Sequence, residues 1–265
     1  MNRLALNGAK RVYPPYFVRS LEIPPVWVFF ILLFLIIELL EPSNTSAAPL
    51  TSHFLISSSE HPCPRHFTPI ELAIHLSPRG QNVRSPLGPK GQVLDDDAVW
   101  LTAQITEANA LFRPVEVCFI PVEGTRLPKE LGEVLTRKQR LLLGHEGRTK
   151  RGRIDLFIVN RLGDIDQAGE EIRGVHWRDP KDPSKRRWII LSRIARHKVL
   201  AHELGHYFSL PHSDFPESIM NKSTRSRPPL SERHFAKTEY LQMKRARITM
   251  IRRGQLKPYR GHIVK

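Results

Sequence analysis

Residues 202–212 read His-Glu-Leu-Gly-His-Tyr-Phe-Ser-Leu-Pro-His, which places three histidines and one glutamate in a single short stretch. His202 and His206 are four apart, so on a helix both imidazoles share one face, one turn from each other. Glu203 falls one residue on, beside any ion held there rather than on it. Pro211 cannot continue the helix, so His212 returns on a turned segment. Three neutral imidazoles suit zinc and leave one position of its tetrahedron open to water, which is how catalytic zinc sites differ from structural ones.

The elements that must position these residues follow from pattern. Ile70–Leu76 alternates in polarity and predicts a strand. Residues 77–94 read as a loop. Asp95-Asp96-Asp97 then opens a helix, because acids favour the unpaired amides at a helix start. Its apolar residues Ala98, Leu101, Ile105, Ala108 and Phe112 share one face. The same three acids offer calcium oxygens but lack the spacing of a calcium loop, so calcium is an unsupported alternative. Val115–Val122 predicts a second strand, 123–153 an irregular basic stretch and Ile154–Val159 a central strand. Ile172–Trp177 is expected at a sheet edge, and Trp188–Leu191 as a fifth strand. Ser192 is placed as the cap of the histidine-bearing helix. Ser213–Asn221 is turn-rich. A last helix, capped by Ser231 and closed by Gly254, is expected to bury Phe235, Leu241, Ile248 and Ile251.

Composition adds an address and a charge. The 265 residues carry a formal charge of +15, and residues 222–265 contribute 13 Lys/Arg against two acids, Glu232 and Glu239. Such a segment attracts anionic surfaces or polymers, or is simply a solvated basic face. No aromatic-interleaved motif accompanies the charge, so specific nucleic-acid binding is not expected. Val26–Ile37 is an unbroken apolar run after a basic flank. It is too short to span a bilayer and right for the core of an export signal. Residues 1–47 are therefore read as a signal peptide, or as a membrane anchor with the domain outside. The product is expected to be secreted or periplasmic. Residues 48–69 are a lead-in or short pro-segment, 70–254 the catalytic domain and 255–265 a basic tail. Cys63 and Cys118, the only cysteines, are open to a disulfide or to two free thiols. The remaining histidines, His75, His145, His176 and His197 among them, read as surface or structural.

His-Glu-x-x-His alone is a short pattern. A third histidine six residues beyond His206, and Met220 eight residues beyond that in a turn, make the array resemble the metzincin clan of zinc endopeptidases. The His-Ser and Met spacing is most similar to the matrixins. The resemblance implies an α+β fold with a twisted, mixed five-stranded sheet, an active-site helix, a Met-turn and a C-terminal helix. It implies one zinc on His202, His206 and His212, with Glu203 as the general base for the zinc-bound water and Met220 as an apolar floor. The strand around Gly174, Val175 and His176 would bind an extended protein or peptide substrate, and a monomer would suffice. The chain departs from the pattern at Ser209, where the family has glycine. If φ is positive there, serine costs about 1 kcal/mol or more. On that departure rests the alternative of a catalytically silent relative that holds an anionic envelope surface through its basic C-terminus.

Overall fold

The computed structural model describes residues 63–80, 96–145, 147–223 and 227–260. The expected export segment and most of the lead-in lie outside them. Among the described residues no helix is long and apolar enough to cross a membrane.

The elements run β1 (Thr68–Leu76), α1 (Asp97–Phe112), β2 (Val117–Arg126), β3 (Glu133–Val134), α2 (Arg137–Leu143), β4 (Ile154–Val159), β5 (Arg161–Leu162), β6 (Gly174–Arg178), β7 (Arg187–Ser192), α3 (Val199–Tyr207) and α4 (Lys237–Arg252). Among these, five strands form one sheet in the order β2-β1-β4-β7-β6. Four are parallel, and β6 closes the edge antiparallel to β7. β3 and β5 form a separate parallel pair.

The central strands explain the layering. β4 is buried at every position, as a strand covered on both faces must be. Leu156 and Ile158 face a core shared with α1, α3 and α4. Phe157 and Val159 face a second core with Leu131, Leu143 and Trp188. Cys63 and Cys118 are both buried as free thiols, with their side chains in contact.

Several expectations are corrected. The stretch 123–153 is not irregular: β2 runs on to Arg126, and α2 forms over Arg137–Leu143. Thr136 accepts from the Gln139 amide while Gln139 Oε1 accepts from the Thr136 amide, a capping box that holds a short helix. Ser192 caps nothing. It ends β7, and α3 begins at Val199. Ser231 is likewise not a cap, because α4 begins at Lys237 after the N-cap residue Ala236, whose amide donates to Glu239 at 2.7 Å. α4 turns Met243 and Met250 inward and leaves Leu241 and Ile248 exposed. Gly254 does end the helix, at φ 63.

Arg193, 1% exposed, ties the carboxyl ends of the strands together. Its guanidinium donates to Asp97 at 2.8 Å, to the Ser77 carbonyl at 2.8 Å and to Asn160 Oδ1 at 2.6 Å. It thus joins the first turn of α1 to the ends of β1 and β4. Removing a buried charge while its partners stay costs about 3–5 kcal/mol. Arg193→Met should therefore lower the unfolding free energy by about 3 kcal/mol, read from the urea midpoint at constant slope. An unchanged midpoint would show that the junction bears no load.

Candidate metal centre

Helix α3 lacks a capping side chain of its own. Lys198 stands before it at φ 68, and the cap comes from another element. Gln104 of α1 accepts from Leu200 N at 3.2 Å and donates to the Arg196 carbonyl at 2.8 Å. Lys198 Nζ donates to the carbonyls of Ser231 and Arg233 at 2.7 and 2.6 Å, which fixes the start of α3 against the segment leading to α4. At the other end, Arg187 donates to the Tyr207 carbonyl at 2.9 Å, a cation where the helix dipole is negative.

The turn to His212 is a Schellman motif. Ser209 N–H reaches His206 O at 2.9 Å and Leu210 N–H reaches Gly205 O at 3.0 Å. Ser209 stands at φ 71, the left-handed position at which such motifs favour glycine. Gln242 of α4 donates to its carbonyl at 2.8 Å.

His202, His206 and His212 come together with one ligand atom from each lying within 4.8 Å of the others. His206 Nε2 and His212 Nε2 are 3.2 Å apart. Nitrogens about 2.0–2.1 Å from a tetrahedral zinc are separated by about 3.3 Å. His202 Nδ1 lies 2.7 Å from the Ile219 carbonyl and His206 Nδ1 lies 2.8 Å from the Leu210 carbonyl. A carbonyl only accepts, so each Nδ1 must carry the proton, and each Nε2 turns a lone pair toward the common point. Burial pushes the His202 and His212 imidazoles down to about 4 and lowers that of His206. The neutral ligand form is thus the resting form at pH 7. The donor set fits a zinc ion.

Met220 is fully buried beneath the helix. A Cβ on Gly205 would stand 2.7 Å from its sulfur and 3.0 Å from Phe235, so the glycine between the helix histidines allows this close approach. Ser218 and Glu239 hold the turn: Ser218 Oγ donates to Glu239 at 2.7 Å and accepts from Met220 N at 2.9 Å.

Glu203 is 6% exposed, and its Oε2 accepts from the His176 backbone amide at 2.7 Å. Desolvation pushes its carboxyl up to about 8, against the His176 hydrogen bond and the charges of Arg140 and Lys222. Gly174 makes the approach possible, since a Cβ there would lie 2.8 Å from Val199 and 3.0 Å from Glu203. Of the three rim residues expected from the sequence, Gly174 and His176 meet Glu203, and Val175 packs into the second core. The His176 ring is buried beside Tyr207, with centroids 5.7 Å apart, and burial lowers it to about 3. The Ile219 and Leu210 carbonyls, Gln104 and Lys222 escape sequence reasoning. Lys222 does so although its charge favours the neutral form of all three ligand imidazoles. His75 is structural, buried between Thr125 and Asp155.

No protein-family model and no curated protein matches the chain. Among solved structures it is similar to archaemetzincin from Methanopyrus kandleri, with 18% identity, 70% of this chain and 98% of that chain covered, and a TM-score of 0.41. It is similar also to a zinc-dependent peptidase from Methanocorpusculum labreanum, with 15% identity, 64% and 99% covered, and a TM-score of 0.31. Likeness at this level assigns no family.

Two outcomes follow from the geometry. Ser209→Gly should raise the unfolding free energy by about 1 kcal/mol, because it relieves a left-handed serine. Thermal melting checks this, and a fall would mean that the serine side chain is itself stabilising. The second concerns metal-free protein. Glu203 is raised in the fold from 4.5 to about 8, so its contribution to stability is full below the unfolded value and is lost as pH rises through the folded one. The stability of wild type relative to Glu203→Gln should therefore decline from about pH 4.5 to about pH 8. Urea unfolding in chelator across that range measures it, and a flat difference contradicts it.

Proposed function

We propose that the chain is an exported zinc endopeptidase, matrixin-like in its His-Ser and Met spacing, that hydrolyses peptide bonds in proteins or peptides. The observation that carries the reading is the placing of one buried carboxylate, Glu203, beside three convergent imidazoles while, among the described residues, only one of its oxygens accepts a hydrogen bond. Oε2 is held by the His176 amide. Oε1 is left to take a proton from water and to return it to the leaving amine. Zinc, when bound by His202, His206 and His212, supplies a Lewis acid that polarises a carbonyl and acidifies water.

Its place at the rim of the site, steadied by the His176 amide, lets the same carboxyl accept a proton in one step and give it up in the next. Burial of the carboxyl excludes bulk water and strengthens its interactions. Met220 packs beneath the ligands as an apolar floor. The edge strand β6 would add an extended substrate as a further strand. The Arg173 carbonyl pairs inward with Ser192 N at 3.0 Å. By alternation, the backbone groups of Gly174, His176 and Arg178 face outward. The His176 amide is already used by Glu203, so its carbonyl and the groups of Gly174 and Arg178 are those that would meet substrate. Val175 takes part only through the packing of β6.

Glu203→Gln should bind about one zinc per chain yet cleave a mixed peptide library about 10²–10⁴-fold more slowly, the range that a general base supplies. Bound zinc by mass spectrometry and cleavage by product analysis separate the two roles. Undiminished cleavage in that variant would remove Glu203 as the base.

A further inference from the structure

On α4, Glu239, Met243 and Met250 face the core. The opposite face centres on Leu241 and Ile248, exposed by 52% and 43%. At about 100° per residue, Lys237, Arg245 and Arg252 flank that pair, all three exposed. Arg245 and Arg252 alternate with the aliphatics along one stripe, Leu241–Arg245–Ile248–Arg252. Lys244, on the shoulder, is drawn to Glu116 at 2.9 Å. The helix's single acid is Glu239, on the buried side. The outward face thus has an aliphatic centre, a cationic border and no anion.

We propose that this face of α4 docks on an anionic lipid bilayer. The two parts of the surface ask for different chemistry, and an anionic bilayer supplies both. Acidic polysaccharide or nucleic acid would match the cations but leave Leu241 and Ile248 in water. A neutral apolar surface would cover the aliphatics and leave the cations unmatched. A leaflet rich in anionic lipid offers headgroup charge at the border and acyl chains at the centre, which is the pattern of helices that lie in the interface. The docking helix also carries Glu239 and Gln242, which hold the Met220 turn and the Ser209 carbonyl. Attachment there would keep the metal centre beside the membrane. The proposal does not depend on the peptidase reading.

The test is sedimentation of the full chain with vesicles of phosphatidylcholine alone or mixed with phosphatidylglycerol. Wild type should bind the mixed vesicles more tightly, and added salt should remove the difference. Lys237→Gln, Arg245→Gln and Arg252→Gln together should weaken binding to mixed vesicles about a hundredfold, at roughly fivefold per cation. Leu241→Ser with Ile248→Ser should weaken it about tenfold. Near-UV circular dichroism verifies the fold of each variant. The N-terminal apolar run and its basic flank are common to wild type and variants, so the difference between them is what assigns the binding to α4. Equal binding of wild type to both vesicle types overturns the proposal. So does a serine pair that binds mixed vesicles like wild type while immobilised heparin retains it, since that result marks a soluble-polyanion site.

Discussion

Two backbone carbonyls, those of Ile219 and Leu210, set the chemistry of the site. Each accepts from Nδ1 of a helix histidine. An imidazole can turn either nitrogen outward, and helical spacing alone leaves that choice open. Fixing the proton on Nδ1 decides it and commits Nε2 to a ligand. The carbonyls therefore have to be delivered accurately, and much of the chain after α3 serves that end. The Leu210 carbonyl is placed by the Schellman turn. The Ile219 carbonyl is placed by the Met220 turn, which Ser218 and Glu239 hold from one side and the His234 carbonyl, accepting from Ile219 N at 2.9 Å, holds from another.

Glu203, the proposed general base, is governed by a second constraint of the same kind. A carboxyl on α3 is steadied by an amide on β6, so the edge strand that would receive substrate also fixes the group that would act on it. Gly174 and Gly205 make both approaches possible. Each lacks a side chain where another element comes to within about a van der Waals contact. A methyl at Gly174 would press α3 away from the strand, and one at Gly205 would press the Met220 turn away from α3.

The sequence displays the ligands because four-residue spacing on a helix followed by a proline is a local pattern. It displays the start of α1 for the same reason: Asp96 accepts from Ala98 N at 2.7 Å, as acids before an apolar run are expected to do. It does not display the cap of α3, because Gln104 lies 96 residues from Leu200 in the chain, and no local rule spans that distance. The short helix α2 carries its capping box openly, as Thr-Arg-Lys-Gln, but its charge hides it from a search for apolar period. The last helix shows a different limit. Leu241 and Ile248 are seven apart, and so are Met243 and Met250. Periodicity rates the two rows alike and cannot say which one is buried. The core selects the methionines, whose unbranched side chains adapt to the main core cluster that they join, and the aliphatics are left outside among cations.

Ser209 shows how the site tolerates a residue that the local rule disfavours. A serine at φ 71 is strained by about 1 kcal/mol. The Schellman hydrogen bonds of Ser209 and Leu210 stabilise the turn whichever residue occupies the position, and Gln242 adds a further bond to the Ser209 carbonyl. An alternative conformation at residue 209 would break all three and would also move Leu210, freeing His206 Nδ1. The strain is local, whereas the bonds that oppose its release reach α3, α4 and the candidate metal ligand His206. The serine is therefore held by the bonds of its turn to Gly205, His206 and Gln242 and by the Leu210 carbonyl that fixes His206, so serine in place of the glycine of the metzincin pattern need not disturb the geometry of the site.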